Sequence, residues 1–174
     1  IPYIAFGGGT QVDVRIILAL VMPILVVGAY LVAPAVFTAH FKENVRVLRG
    51  LGSEVVITDN YATTEVNGWV VFVLRSSSSG LLYFAKLSLV NPEPADRVDV
   101  PAFRTRFGKD RVGGIPAYYE EGRYSVPTPQ GIVTADCKIF AIDTVRDRSA
   151  LGDAGEVPSR VRAFIEEISR LHSA

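Results

Sequence analysis

The sequence is poor in the residues that most often form metal centres and redox sites. Its 174 residues include one cysteine, Cys137, and two histidines, His40 and His172. A single cysteine excludes a disulfide within the chain, and these three residues do not have the spacing of zinc ligands. Cys137 lies in a stretch typical of a strand, so we interpret it as a small core residue and not as a redox centre.

The chain also lacks an excess of charge of either sign. It has 18 basic and 18 acidic residues, and its formal net charge is zero. Because a nucleic-acid-binding protein normally carries a basic patch or stripe, we predict no nucleic-acid partner. The most basic segment, residues 103–114, holds Arg104, Arg106, Lys109 and Arg111. We interpret it as a solvated loop, with contact to anionic lipid as the alternative.

Sequence motifs for nucleophilic catalysis and phosphate binding are missing as well. The sequence contains no G-x-S-x-G segment. Gly7-Gly8-Gly9-Thr10 precedes an apolar run and follows no strand, so it lacks the context of a phosphate-binding loop. We therefore predict no catalytic residue, no metal site, no intrinsic cofactor and no enzymatic activity.

The chain does contain one long apolar run. Residues 16–37 include no charged side chain over 22 positions. As a helix this run is about 33 Å long, and a bilayer's hydrocarbon core is about 30 Å thick. A secretory signal has an apolar core of only about 7–15 residues behind a basic segment, whereas this run is longer and follows only Asp13 and Arg15. We predict a retained transmembrane helix over residues 15–39.

The basic residues that flank the run predict its orientation. Lys42, Arg46 and Arg49 follow it, whereas Arg15 precedes it beside Asp13. By the positive-inside rule, the C-terminal part lies on the cytoplasmic or stromal side, and residues 1–14 form a flexible lumenal segment. We expect Lys42, Arg46 and Arg49 to contact the membrane surface. The alternative is that targeting after synthesis overrides this charge bias. Because the chain begins at Ile1 and not at methionine, we also expect a removed targeting peptide or further residues upstream.

Small residues in the second half of the run indicate a helix-packing face. Gly28, Ala29 and Ala33 lie close together along a helix, and small side chains let two membrane helices approach closely. We predict that a partner helix packs there. The alternative is that glycine and alanine are simply common in membrane spans.

The stretch 13–36 resembles a known family. It has the triplet Asp13-Val14-Arg15, an apolar run, Pro23, and a second apolar run that ends at Ala33-Pro34-Ala35. This pattern is similar to that of the PsbY family, the small single-helix subunits at the periphery of photosystem II in thylakoid membranes. The resemblance implies a lumenal N-terminus, a stromal C-terminus and a structural, non-catalytic role. The chain differs from the family in carrying a whole domain after the helix.

The residues after the span predict a small α+β domain. Residues 40–52 form an amphipathic juxtamembrane segment, since Phe41, Val45, Leu48 and Leu51 recur at helical spacing. Residues 53–174 form the domain, a mainly antiparallel sheet with a helix that begins near Pro158. The predicted strands cover residues 54–58, 69–75, 81–89, 118–126 and 132–145. A polar turn at residues 76–80 joins the second and third strands as a hairpin.

Two classes of function remain open. The first is an accessory, structural or assembly subunit of a photosynthetic thylakoid membrane complex in a plastid, with photosystem II as the first choice and photosystem I or another membrane complex as alternatives. Its partners are the membrane and protein subunits of that complex, and contact with the complex's chlorophyll, carotenoid or lipid is left open. The second is a membrane-anchored ligand-binding protein or enzyme, with its site near Trp69, Tyr83 and Tyr118.

Overall fold

The computed structural model describes residues 3–6, 10–52, 54–76, 80–104, 106–107 and 112–173. Contacts within the chain divide it into two units, Ile1–Val36 and Phe37–Ala174. Helix α1, Val14–Leu51, contributes residues to both units. Each unit is described by itself.

The first unit contains a short hairpin and the apolar part of α1. Strand β1, Tyr3–Phe6, pairs antiparallel with strand β2, Thr10–Asp13. We did not predict this pairing, and the flexibility that we expected over residues 1–14 stays a prediction. Pairing gives the backbone N–H and C=O groups of each strand hydrogen-bond partners. The residue pattern of neither strand indicated this pairing. Residues 7–9 lie outside the described part of the chain.

The apolar part of α1 presents its side chains to the surroundings on all sides. Leu20, Ile24 and Leu31 are 65%, 70% and 74% exposed, and none of the most apolar 18-residue window is buried within the chain. Pro23 and Pro34 both lie inside α1, so neither proline ends the helix and the apolar run forms one continuous helix. By length and composition, α1 is a helix that can cross a membrane.

The second unit is an antiparallel half-barrel sheet with helices on one face. Its strands are β3 (Val56–Ile57), β4 (Tyr61–Val66), β5 (Trp69–Leu74), β6 (Leu81–Leu87), β7 (Glu93–Pro94), β8 (Arg106–Phe107), β9 (Ala117–Thr128) and β10 (Gly131–Asp143). Their order is β3-β4-β5-β6-β10-β9-β8, and β7 pairs with β10. Two helices follow the sheet, α2 (Arg148–Leu151) and α3 (Val157–Ser173). The predicted antiparallel sheet and C-terminal helix are confirmed.

Strand β4 is the main element that the sequence interpretation omitted. It pairs with β5 through a two-residue turn, Asn67-Gly68, in which Val66 is the register partner of Trp69. Both turn residues have positive φ, 53° at Asn67 and 75° at Gly68. An Asn-Gly pair is a strong hairpin signal because both residues adopt that conformation at low cost. The predicted hairpin of β5 and β6 is confirmed.

The sheet is buried on both faces. Phe140 and Ile142 belong to a core that includes buried residues of α1 and α3. Ile139 and Ala141 belong to a second core on the opposite face, where Val100 and Phe103 pack. None of the described residues of this second core comes from a helix, and Val100 and Phe103 come from the connection after β7.

The C-terminal part of α1 packs through the predicted amphipathic stripe. Phe41, Val45, Leu48 and Leu51 are all buried in the first core. A polar residue, Asn44, is buried beside them. Its side chain forms hydrogen bonds with Gly80, which precedes β6, and with Thr144, which follows β10, so these bonds join α1 to the ends of two strands.

Candidate functional site

A groove beside the C-terminal part of α1 brings together all three predicted membrane-surface residues. Its volume is about 380 Å³. We call it the cationic groove. Its lining comprises Thr38, Phe41, Lys42, Val45, Arg46, Arg49, Ile57 and Arg75.

Helix geometry explains why three of its cations share one wall. Lys42, Arg46 and Arg49 are spaced by four and then three residues, which places them on one face of a helix. All three side chains are exposed, whereas Phe41 and Val45 beside them are buried against the sheet. The long aliphatic stems therefore border apolar surface while the charged ends remain in solvent.

Arg75 supplies the fourth cation, from the end of β5. Its backbone N–H donates a hydrogen bond of 2.9 Å to the carbonyl oxygen of Asn60. Its guanidinium carbon lies 4.7 Å from the centroid of the Phe41 ring. A cation above an aromatic face gains about 0.5–1 kcal/mol at an exposed site. Arg75 therefore lies against Phe41, the residue before Lys42.

The electrostatics of the cationic groove favour an anion. No described residue that lines it is acidic. The ion pairs of the described residues use other cations, such as Arg106, Arg123 and Arg148, and none involves the four that line this groove. Sequence analysis found Lys42, Arg46 and Arg49 but missed Arg75, because no local pattern places the end of β5 beside Phe41.

The predicted helix-packing residues lie together on α1. Gly28, Ala29 and Ala33 belong to its apolar part, within the first unit. A Cβ atom added to Gly28 would meet no atom within 4 Å. Space for an approaching helix therefore exists at Gly28, and the role of this face stays a prediction.

A second groove, of about 330 Å³, is lined by residues of β6, β9 and β10 and by His172 near the end of α3. We call it the His172 groove. Its polar lining comprises Lys86, Ser88, Glu121, Asp136, Lys138 and His172. Unlike the cationic groove, it mixes lysines with carboxylates, and Lys138 Nζ lies 3.8 Å from Glu121 Oε1.

His172 is held among aromatic rings in this second groove. Its ring lies 5.3 Å from that of Phe140 and 6.0 Å from that of Trp69, centroid to centroid. Burial, with the nearby charge of Lys138, lowers the pKa of His172 below its usual value. The imidazole is therefore mainly neutral at pH 7. Sequence analysis found no motif around His172, since its neighbours come from distant strands.

The predicted ligand site near Trp69, Tyr83 and Tyr118 is wrong as a single site. Trp69 is fully buried in the first core, whereas Tyr83 belongs to the second core on the opposite face of the sheet. Tyr118 packs with that second core, against Phe103. The alternation of side chains along β5 and β6 separates them, because Phe72, and not Trp69, is the partner of Tyr83.

The structure describes only part of the basic segment 103–114, so its predicted role as a solvated loop stays a prediction. The described Arg106 forms an ion pair with Asp147. Lys109 and Arg111 lie outside the described residues, as does most of the loop that we expected at residues 76–80. Cys137 is buried in the second core, as predicted, and burial raises the pKa of its thiol to about 11.

Comparison with known proteins adds no relative. No protein-family model matches the chain, and no curated protein or solved structure matches it.

Proposed function

We propose that this protein is a non-catalytic accessory or assembly subunit of a membrane protein complex, anchored by the apolar part of α1. The observation that carries the proposal is the exposure of that helix on every side, with none of its most apolar window buried within the chain. A helix that is apolar all round needs a bilayer or other protein surface to cover it. A single membrane span would cover this helix with lipid and with neighbouring subunits, and it would anchor the domain that follows.

The small residues of α1 support the subunit part of the proposal. Membrane helices associate by close packing of backbones and side chains, since lipid provides no hydrophobic force between them. Gly28, Ala29 and Ala33 provide a surface for such packing, and Gly28 has open space beside it. The domain would then cover neighbouring subunits at the membrane surface.

The resemblance of residues 13–36 to the PsbY family supports a photosynthetic complex, with photosystem II as the first choice. In that setting the protein lies in the thylakoid membrane of a plastid, with its N-terminus lumenal and its domain stromal. The charges of Lys42, Arg46 and Arg49 favour the same orientation. Photosystem I and other membrane complexes are the alternatives that the experiment must separate.

Co-purification tests the proposal. Membranes that contain the protein are solubilised in a mild detergent and separated by native electrophoresis and on a density gradient. We expect the chain to migrate with one large complex, whose pigment spectrum and subunits identify it. An alkaline wash of the same membranes is the control, because an integral protein stays in the pellet. A chain that stays in the pellet but migrates alone would contradict the subunit function.

The His172 groove favours a second candidate, a membrane-anchored ligand-binding protein. It places Lys86, Lys138 and His172 beside Glu121 and Asp136, a set that suits a small molecule with charges of both signs. Thermal unfolding of the full chain with zwitterionic and anionic metabolites tests this candidate. A ligand that stabilises the wild type but not Lys138→Gln would support it, whereas equal effects on both would oppose it.

A further inference from the structure

We propose that the cationic groove binds the anionic headgroup of a membrane lipid, whose phosphate or sulfonate contacts the cations while its acyl chains stay in the adjoining bilayer. The proposal rests on the membrane anchoring in the proposed function. Its starting observation is the charge of the lining: Lys42, Arg46, Arg49 and Arg75 surround one groove, without an acidic residue among its described lining. A headgroup of negative charge complements this set.

The place of the groove along the chain suits a lipid. Thr38 and Phe41 line it and directly follow the apolar run, which ends at Phe37. Lys42 lies five residues after Phe37, about 8 Å along a helix axis, and the headgroup layer adds about 5–8 Å to each side of the hydrocarbon core. Side chains of a helix lean towards its N-terminus, here the membrane side. Of the four cations that line the groove, Lys42 is therefore the nearest along the chain to the expected headgroup layer.

The apolar floor of the groove distinguishes a lipid from a free anion. Phe41, Val45 and Ile57 line it beside the cations. Ile57 is 42% exposed although it is a large aliphatic residue. Phe41 and Val45 are already buried, so Ile57 provides the apolar surface that a ligand can still cover. Inorganic phosphate gains nothing from that surface, whereas the glycerol and first methylene groups of a lipid remove it from water.

The arrangement of like charges gives a further reason to expect an anion. Lys42 and Arg46 are four residues apart on one helix, a spacing at which like charges repel. Arg49 lies in the last turn of α1, where the helix dipole favours a cation. The dipole acts only over that turn, so it does not explain Lys42 or Arg46. A bound anion relieves the repulsion for all of them.

The test measures ligand binding to the full chain in a neutral detergent. Thermal unfolding is followed with three ligands: short-chain phosphatidylglycerol, short-chain phosphatidylcholine, and glycerol 3-phosphate. The first has a negative headgroup and tails, the second has the same tails without net charge, and the third is a free phosphate ester without tails. We expect phosphatidylglycerol to raise the unfolding temperature at concentrations at which the other two have little effect.

Matched variants locate the binding in the groove. Lys42→Gln/Arg75→Gln removes two lining cations, and Arg97→Gln/Arg160→Gln removes two exposed cations elsewhere. Because each basic residue near an anionic surface contributes about fivefold in affinity, the first variant should bind phosphatidylglycerol about 30-fold more weakly. The control should bind like the wild type. If the first variant is less stable without lipid, Arg46→Gln/Arg49→Gln is used for the comparison.

The outcomes separate this proposal from the proposed function. Equal effects of the two lipids, or unchanged binding in the groove variants, would overturn the lipid site. Tight binding of glycerol 3-phosphate would also overturn it, by assigning the groove to a soluble anion. The assay contains no partner complex, so a chain that binds phosphatidylglycerol here but migrates alone contradicts the subunit function only.

Discussion

The indole N–H of Trp69 donates a hydrogen bond of 2.8 Å to the hydroxyl of Ser169, 100 residues further along the chain. The same hydroxyl donates a bond of 2.7 Å to the carbonyl oxygen of Ile165. Trp69 is fully buried, so Ser169 gives its one polar group a partner inside the core. This contact joins β5 to the C-terminal helix.

We predict that Ser169→Ala destabilises the domain. The substitution leaves the indole N–H in the core without its partner, at a cost of about 1–3 kcal/mol in the free energy of unfolding. Trp69 is the only tryptophan in the sequence, so its fluorescence in a urea titration of the detergent-solubilised chain reports the transition. Ser149→Ala, at an exposed position on α2, is the control and should change the free energy by less than about 0.5 kcal/mol.

We predict a pH-dependent effect at Asn44. Its Oδ1 accepts a hydrogen bond of 2.8 Å from the Thr144 hydroxyl, and the residue is 1% exposed. Asn44→Ala should cost about 1–2 kcal/mol at any pH. Asn44→Asp buries a carboxyl whose folded pKa rises above its unfolded value of about 3.9. Its additional cost should be small below pH 4 and grow as the pH rises; a cost that is constant from pH 4 to pH 8 would contradict the buried position.

We predict that Cys137 is unreactive in the folded protein. Its side chain is 6% exposed, and burial raises its pKa from 9.0 to about 11. Two pKa units lower the thiolate fraction at pH 8 about 100-fold, so alkylation by iodoacetamide should be much slower than in urea. The raised pKa also predicts that stability is fully present below pH 9 and falls as the pH rises from 9 to 11. Rapid alkylation without urea would show that the thiol is accessible.

We predict that bulk on the small-residue face of α1 weakens assembly. Ala29→Leu or Ala33→Leu enlarges a side chain where a partner helix would approach, whereas leucine favours insertion into the bilayer. Recovery of each variant with the complex in a mild-detergent gradient should fall, at an unchanged amount in the membrane. Val26→Leu and Val27→Leu are the controls. Equal recovery of all four would mean that the domain, and not this face, holds the protein in place.

We predict that the domain lies on the cytoplasmic or stromal side of the membrane. The basis is the basic flank at Lys42, Arg46 and Arg49. Protease added from that side to intact membranes should cut the exposed connection around Arg97. Full protection until detergent is added would reverse the assignment, and a lumenal protein digested only after lysis controls for membrane integrity.

Elements with a strong local period could be predicted from sequence. The apolar run, the stripe of Phe41, Val45, Leu48 and Leu51, and the terminal helix all depend on side chains a few residues apart. Strand β4 could also have been predicted, since Asn67-Gly68 marks its turn. The hairpin of β1 and β2 was harder to predict from sequence, because the residue pattern of neither strand indicates that the two strands pair.

What the sequence by itself determined is an apolar helix, its basic flank and an antiparallel domain, because periodicity and charge act along the chain. Only the tertiary structure decided which distant groups meet. It places Arg75 over Phe41, His172 beside Phe140, and Trp69 on the face opposite Tyr83. The reason is strand register: one residue along a strand reverses the face on which a side chain lies, and the order of strands fixes its neighbours.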